Sequence, residues 1–229
     1  MRRPLALAAA LALTLLGAAA CTGGSGGATA AGDPLPAATD LLKGAAAEMR
    51  TVTSAAFDIS TDGQADALPL SAARGGITSA GNATGTAKLD QGGSTVELTF
   101  VIKDGTLYVN GLTGGWQKLP LSAAAAVYDP SAILSPDRGV AHVMDTATGT
   151  TEAREPVDGV DAYKVKATLD GPALGALVPG VTGAVTGTVW IGADRKLVHK
   201  IRFPVPGQSG TVTVAFRDFD KPVTVDAPV

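Results

Sequence analysis

Val96-Glu97-Leu98-Thr99-Phe100-Val101-Ile102-Lys103-Asp104-Gly105-Thr106-Leu107-Tyr108-Val109 decides the fold class of this chain. Val96, Leu98, Phe100 and Ile102 are apolar at every second position, with Glu97 and Thr99 between them. A period of two belongs to a strand with one buried face. Asp104-Gly105 then supplies a hairpin turn, and Leu107 and Val109 resume the alternation on the return strand.

The same alternation recurs on both sides. Phe57 and Ile59 alternate with Asp58 and Ser60, and Ala87 and Leu89 with Thr86 and Lys88. Tyr163, Val165, Ala167 and Leu169 alternate with Lys164, Lys166 and Thr168. Stretches 185–191, 197–203 and 211–219 continue the pattern, separated by the turns Gly192-Ala193-Asp194-Arg195 and Pro206-Gly207-Gln208-Ser209-Gly210. Nine or more strands in one large antiparallel sheet are expected. Three stretches carry helical spacing instead. The first is 36–52, with Leu41, Leu42, Ala45, Met49 and Val52 on one face. The second is the Ala-rich 121–148, where Ser135-Pro136-Asp137 reads as a helix start. The third is 172–178, closed by Pro179-Gly180. The fold class is therefore α+β, a large curved antiparallel sheet with short helices over its concave face. Aromatic residues are only 4 % of the chain, so bulky filler is scarce. An apolar cavity beneath the helices is one reading of that shortage, and a tight core of small residues is the other.

Composition narrows the function. The 229 residues are 45 % hydrophobic and 17 % charged, which suits a packed domain and excludes general disorder. Without Arg2 and Arg3, 16 basic side chains face 21 acidic ones, a balance of −5, so no nucleic-acid partner is expected. A single cysteine makes neither an internal disulfide nor a zinc site, and no cofactor or metal is expected. No Gly-x-Ser-x-Gly elbow or nucleophile–base pair stands out, so an enzyme, an envelope esterase for instance, is disfavoured. His142 and His199 read as surface or strand residues.

The amino terminus supplies an address. Met1-Arg2-Arg3 precedes the apolar run Leu5–Ala20, about 24 Å as a helix and too short for the roughly 30 Å hydrocarbon core. Residues 1–20 are expected to be an export signal. Ala18-Ala19-Ala20-Cys21 fits a bacterial lipobox, with Ala18 where a larger aliphatic is usual. In that reading Cys21 is acylated and becomes the new terminus. The alternative is an Ala-Ala-Ala secretory cleavage site before an incidental cysteine. Residues 21–35, rich in Gly, Ser, Ala and Thr, then read as a lipidated flexible tether with a reach of about 20 Å. Residues 36–229 form the single domain, exported and held by its lipid on the outer face of the plasma membrane in the cell envelope.

Val127-Tyr128-Asp129-Pro130-Ser131-Ala132-Ile133-Leu134-Ser135-Pro136-Asp137-Arg138-Gly139-Val140-Ala141 resembles the central helical segment of mycobacterial and actinobacterial lipoproteins of the LppX/LprG/LprF type. Asp104-Gly105-Thr106-Leu107-Tyr108, Asp158-Gly159-Val160, Val189-Trp190-Ile191 and Lys221-Pro222-Val223-Thr224-Val225 match in order, so the resemblance runs from about residue 37 to 225. It implies a half-barrel whose apolar cavity binds acylated lipids or glycolipids and carries them from the plasma membrane toward the outer envelope. A major-facilitator transporter is an implied partner in one branch. A monomer is expected.

If the concave face is the apolar one, its lipid-binding lining comprises Ala87, Leu89, Val96, Leu98, Phe100, Ile102, Val165, Leu169, Val189 and Ile201, with Ile133, Leu134, Val140, Val143 and Met144 from the helical roof. Each of these also fits an ordinary core position. Tyr128, Asp129 and Arg138 fit either a headgroup or turn chemistry, and Trp116 and Trp190 read as packing anchors. The competing function is a non-enzymatic envelope scaffold that docks a transporter, with lipid incidental.

Overall fold

The computed structural model describes residues 34–228, apart from 64, 66–67, 69, 92–93, 112–113, 125–129, 176 and 179–180. Cys21, the signal and most of the tether, together with Tyr128 and Asp129, lie outside the described residues. The folded unit runs from Leu35 to Val229. Its strands are β1 (Ser54–Asp62), β2 (Leu70–Thr78), β3 (Ala83–Gln91), β4 (Ser94–Lys103), β5 (Thr106–Asn110), β6 (Gln117–Pro120), β7 (Thr148–Val157), β8 (Val160–Leu169), β9 (Val185–Gly192), β10 (Val198–Pro204) and β11 (Thr211–Arg217). The helices are α1 (Ala38–Thr51), α2 (Leu121–Ala124), α3 (Val140–Thr146) and α4 (Gly171–Gly175), with a 3-10 turn at Pro130–Ala132.

All eleven strands form one open sheet in the order β6-β5-β4-β3-β2-β1-β11-β10-β9-β8-β7. Two meanders, β1–β6 and β7–β11, are stitched together by the antiparallel pair β1–β11, with Phe57 opposite Phe216 and Ile59 opposite Val214. The sheet curves toward the helices. Its two free edges are poor templates for further pairing. At one end β6 has four residues and ends in Pro120. At the other, β7 carries Glu152, Arg154 and Pro156 and a register shift between Thr151 and Ala153.

The expected opening helix is present as α1, where Leu41, Leu42, Ala45, Ala46 and Met49 form the buried face. Asp40 in its first turn and Arg50 in its last complement the helix dipole. Side-chain bonds tie its end down. Arg195, in the β9–β10 connection, donates from Nε to Glu48 (3.1 Å), from Nη2 to Thr51 Oγ1 (3.2 Å) and from Nη1 to Asp220 (2.7 Å). Asp220 also accepts from the Thr53 backbone N–H at 2.8 Å. That bond first, and Arg195 second, hold its carboxyl below the ordinary range. Arg50 meanwhile bridges to Asp145 of α3.

Two expectations need correction. Ser135-Pro136-Asp137 does not start a helix, because α3 begins only at Val140 with Gly139 as its N-cap. Gly139 donates to the Ser135 carbonyl at 2.7 Å, and a Cβ there would stand 2.4 Å from the Ile133 and Ser135 carbonyl oxygens. Packing at Gly139, rather than the proline, sets the boundary. Trp116 is not a packing anchor: it is 40 % exposed beside edge strand β6. Trp190 does behave as one, half-buried with its indole Nε1 donating to Glu155 at 2.8 Å.

Candidate functional site

The inner face of the sheet is built by strand parity, so the cross-strand register shows which side chains form one floor. One row runs without a break across eight strands: Val165–Val189–Ile201–Val214–Ile59–Ala73–Ala87–Leu98. Every member is apolar and buried. Five of the residues expected from sequence, Val165, Val189, Ile201, Ala87 and Leu98, fall on this line. A parallel row holds Phe216, Phe57, Gly75, Gly85, Phe100 and Val109. Ile102 lies in a third row, opposite Ala83 and Leu107. Leu169 closes the floor at the far side, opposite Val185.

Small side chains concentrate where β2 and β3 pair. Ala73 faces Ala87 and Gly75 faces Gly85, so this part of the floor is nearly bare backbone. Leu89 is half-buried and packs against the core, whereas Val96 opposite it is half-buried at the hairpin end and is not part of that packing. The alternation that selected Val96 was right about its face, but the roof does not reach that far.

Ile133, Leu134, Val140, Val143 and Met144 are all buried in the roof, as expected. An apolar cavity of about 20 Å³ lies between roof and floor, lined by Ile133 and Val140 above, Leu174, Leu177 and Val178 from α4 and the turn after it, and Ile59, Ile201, Phe203, Val214 and Phe216 below. That volume holds about one water. Ordinary ligand sites measure roughly 300 Å³ or more. The cavity is thus a closed seam in this conformation, nearly filled by the four aromatic and aliphatic side chains of β10 and β11. Sequence reasoning named Ile133, Val140 and Ile201 of this set. Phe203, Val214 and Phe216 were missed although they share the parity of Ile201 on strands already recognised. Leu174 and Leu177 were missed as liners although they lie in the third helical stretch.

A groove of about 160 Å³ lies over β1–β3, lined by Asp58, Ser60, Ala72, Arg74, Thr86 and Lys88 with the backbone neighbours Ile59, Ala73 and Ala87. Its six alternate side chains belong to the outward face, and three of them, Asp58, Arg74 and Lys88, are charged, so it is a poor place for an aliphatic chain.

Polar chemistry on the inner side is sparse. His199 stacks edge-on against Phe219, ring centres 5.3 Å apart, and its burial pushes the imidazole below the ordinary histidine value. Among the described residues no group of three His, Cys, Asp or Glu could hold a metal ion, and no helix is long and apolar enough to cross a membrane. Arg138 is exposed in the turn before α3. Asn82, at the β2–β3 turn, accepts the Asp104 backbone N–H at 2.9 Å and joins two hairpin ends.

Comparison with known proteins gives consistent matches. The family model of LppX_LprAFG lipoproteins matches residues 37–225. The chain is 36 % identical over 202 residues to a protein named lipoarabinomannan carrier protein LprG of Mycolicibacterium smegmatis, covering 85 % of this chain and 84 % of that one. It is 31 % identical over 229 residues to the protein of the same name in Mycobacterium leprae, covering 97 % and 95 %. Among solved structures, LprF of Mycobacterium bovis superposes with a TM-score of 0.74 at 22 % identity, over 83 % of this chain and 96 % of that one. LppX of Mycobacterium tuberculosis gives 0.62 at 20 % identity, over 82 % and 98 %. These two structures share the fold.

Proposed function

The chain belongs to the LppX_LprAFG lipoprotein family, and on that footing we propose that it is an envelope carrier. It shelters the acyl chains of a lipid or glycolipid and moves them from the plasma membrane toward the outer envelope. Cys21 is the site of acylation that tethers it to the outer face of the membrane. The relatives' name, lipoarabinomannan carrier protein, points to a large acylated glycolipid as the class of cargo.

The observation that carries this reading is the unbroken apolar row from Val165 to Leu98 beneath short helices. An aliphatic chain laid on that row meets only hydrocarbon. Each methylene removed from water is worth about 0.8 kcal/mol, so a long acyl chain supplies on the order of 10 kcal/mol toward parting roof and floor. The roof segments that must yield are short: α3 has seven residues and α4 five. Selectivity comes from the volume reached on opening and from the number of chains, since aliphatic tails look alike. No covalent step is required, and no residue is assigned a catalytic role.

Mass spectrometry of protein purified from a lipid-rich actinobacterial host tests the proposal. Acylated lipid released in near-stoichiometric amount is the expected result. A protein-only mass would remove the carrier function and leave a tethered scaffold.

A further inference from the structure

The outward face of the sheet is not a neutral back. On β8, β9, β10 and β11 the outward positions carry five cations, Lys164, Lys166, Lys200, Arg202 and Arg217, and no carboxylate. The flanking strands add acids to the same face, Glu155 of β7, which accepts the Trp190 indole N–H, and Asp58 of β1, opposite Ala215, so in a chain whose balance without its first 20 residues is −5 the cations of β8–β11 form a local patch. Lys164, Lys200 and Arg217 meet acids at the rim: Glu152 at 3.7 Å, Asp158 at 2.7 Å and Asp218 at 3.8 Å. Lys166 and Arg202 have no carboxylate partner among the described residues. Both are exposed, and Thr188 alone separates them in the cross-strand row Lys166–Thr188–Arg202–Thr213. With strands about 4.8 Å apart, the two uncompensated charges stand roughly 10 Å from one another on a hydroxyl-bearing surface. Beside them the half-buried indole of Trp190 lies between Lys164 and Lys200.

We infer that this face rests on the anionic headgroup surface of a lipid bilayer. Charge complementarity selects an anionic partner. The lipid anchor of the proposed function selects a membrane over a soluble polyanion. Thr151 of β7 donates to the Pro36 carbonyl at 2.7 Å and lies opposite the inward-facing Val165, so the described chain starts at the β7 edge on the helical side of the sheet. The lipid anchor is taken from the proposed function, while the charged face is independent of any cargo. Contact through this face leaves the helical roof, on the opposite side of the sheet, free to open.

The test uses the chain from residue 22 onward, which keeps the whole core but has no acyl anchor. Its sedimentation is measured with vesicles of phosphatidylcholine alone and with about one-third phosphatidylglycerol. The expected result is binding to the anionic vesicles only, weakening as salt rises. The double variant Lys166→Glu/Arg202→Glu should bind at least about tenfold more weakly, while Lys43→Glu, at an exposed position of α1, binds like the parent. Cargo recovered from cells should be the same for all three, which separates this inference from the carrier proposal. Equal binding to both vesicle types, or no difference between the two variants, would overturn it. So would tight binding of dextran sulfate without binding to vesicles, which would assign the face to an anionic glycan.

Discussion

Gly75 and Gly85 face each other across β2 and β3 so closely that neither can carry a side chain: a Cβ on Gly75 would stand 2.1 Å from the Thr84 carbonyl oxygen, and one on Gly85 2.1 Å from that of Arg74. The reciprocal distances show two strands pressed closely together, flanked on the same inner row by Phe57 and Phe100. Glycine in a strand interior is otherwise costly, and it marks a corner or a close approach.

Gly75→Ala or Gly85→Ala should therefore lower the stability by about 1–3 kcal/mol, as for overpacking elsewhere, because backbone rather than a flexible side chain must move. A reduced urea midpoint with an unchanged slope is the expected signature. An unaltered midpoint would mean that the strands separate freely at this point.

Ala87 lies on the continuous apolar row between Ala73 and Leu98. Ala87→Trp should fill the floor where it is barest. Most of the co-purified lipid is expected to disappear while the chain remains folded, at a cost of about 1–3 kcal/mol. Undiminished lipid in the mass spectrum would place the cargo elsewhere.

His199 is held below the ordinary value of 6.5, chiefly by burial, with Asp158 opposing the shift. Between its lowered folded value and 6.5 the unfolded chain binds more protons, so stability rises with pH across that window and is flat above it. Acidification from about pH 7.5 to 5.5 should lower the urea midpoint, and His199→Gln should remove part of that slope. The acids with lowered values, such as Asp220, act only below their ordinary 3.8 and do not confuse the measurement.

Arg195→Ala removes three hydrogen bonds that join α1 to the β9–β10 connection and the carboxy-terminal segment. All partners are partly exposed, so the global cost should be only about 1 kcal/mol. The sharper readout is hydrogen exchange, which should speed up in the last turn of α1 while the buried strands keep their protection.

Much of the sheet was legible because its inner and outer rows differ sharply in polarity. β4, β5 and β8–β11 announce themselves by alternation, and the parity of Ile201 extends correctly to Phe203. β2 was hidden because Ala72, Ala73, Gly75 and Gly76 offer no contrast between faces. β7 was hidden for the opposite reason, since an edge strand with Thr, Glu and Arg on both sides shows no apolar period. The floor of the site could be read from period two alone. Its ceiling could be read only in part: Ile133 and Val140 were expected, whereas the placing of Leu174 and Leu177 depends on how the chain from Gly175 folds back over the sheet.

The free edges at β6 and β7 have a mechanical consequence. In a closed barrel, strand number and shear fix the girth, and widening it breaks hydrogen bonds. An unclosed strip is under no such hoop constraint. It can unroll by changing twist between neighbouring strands while every ladder stays intact, so a seam the size of one water can dilate by degrees, in proportion to whatever it is asked to hold.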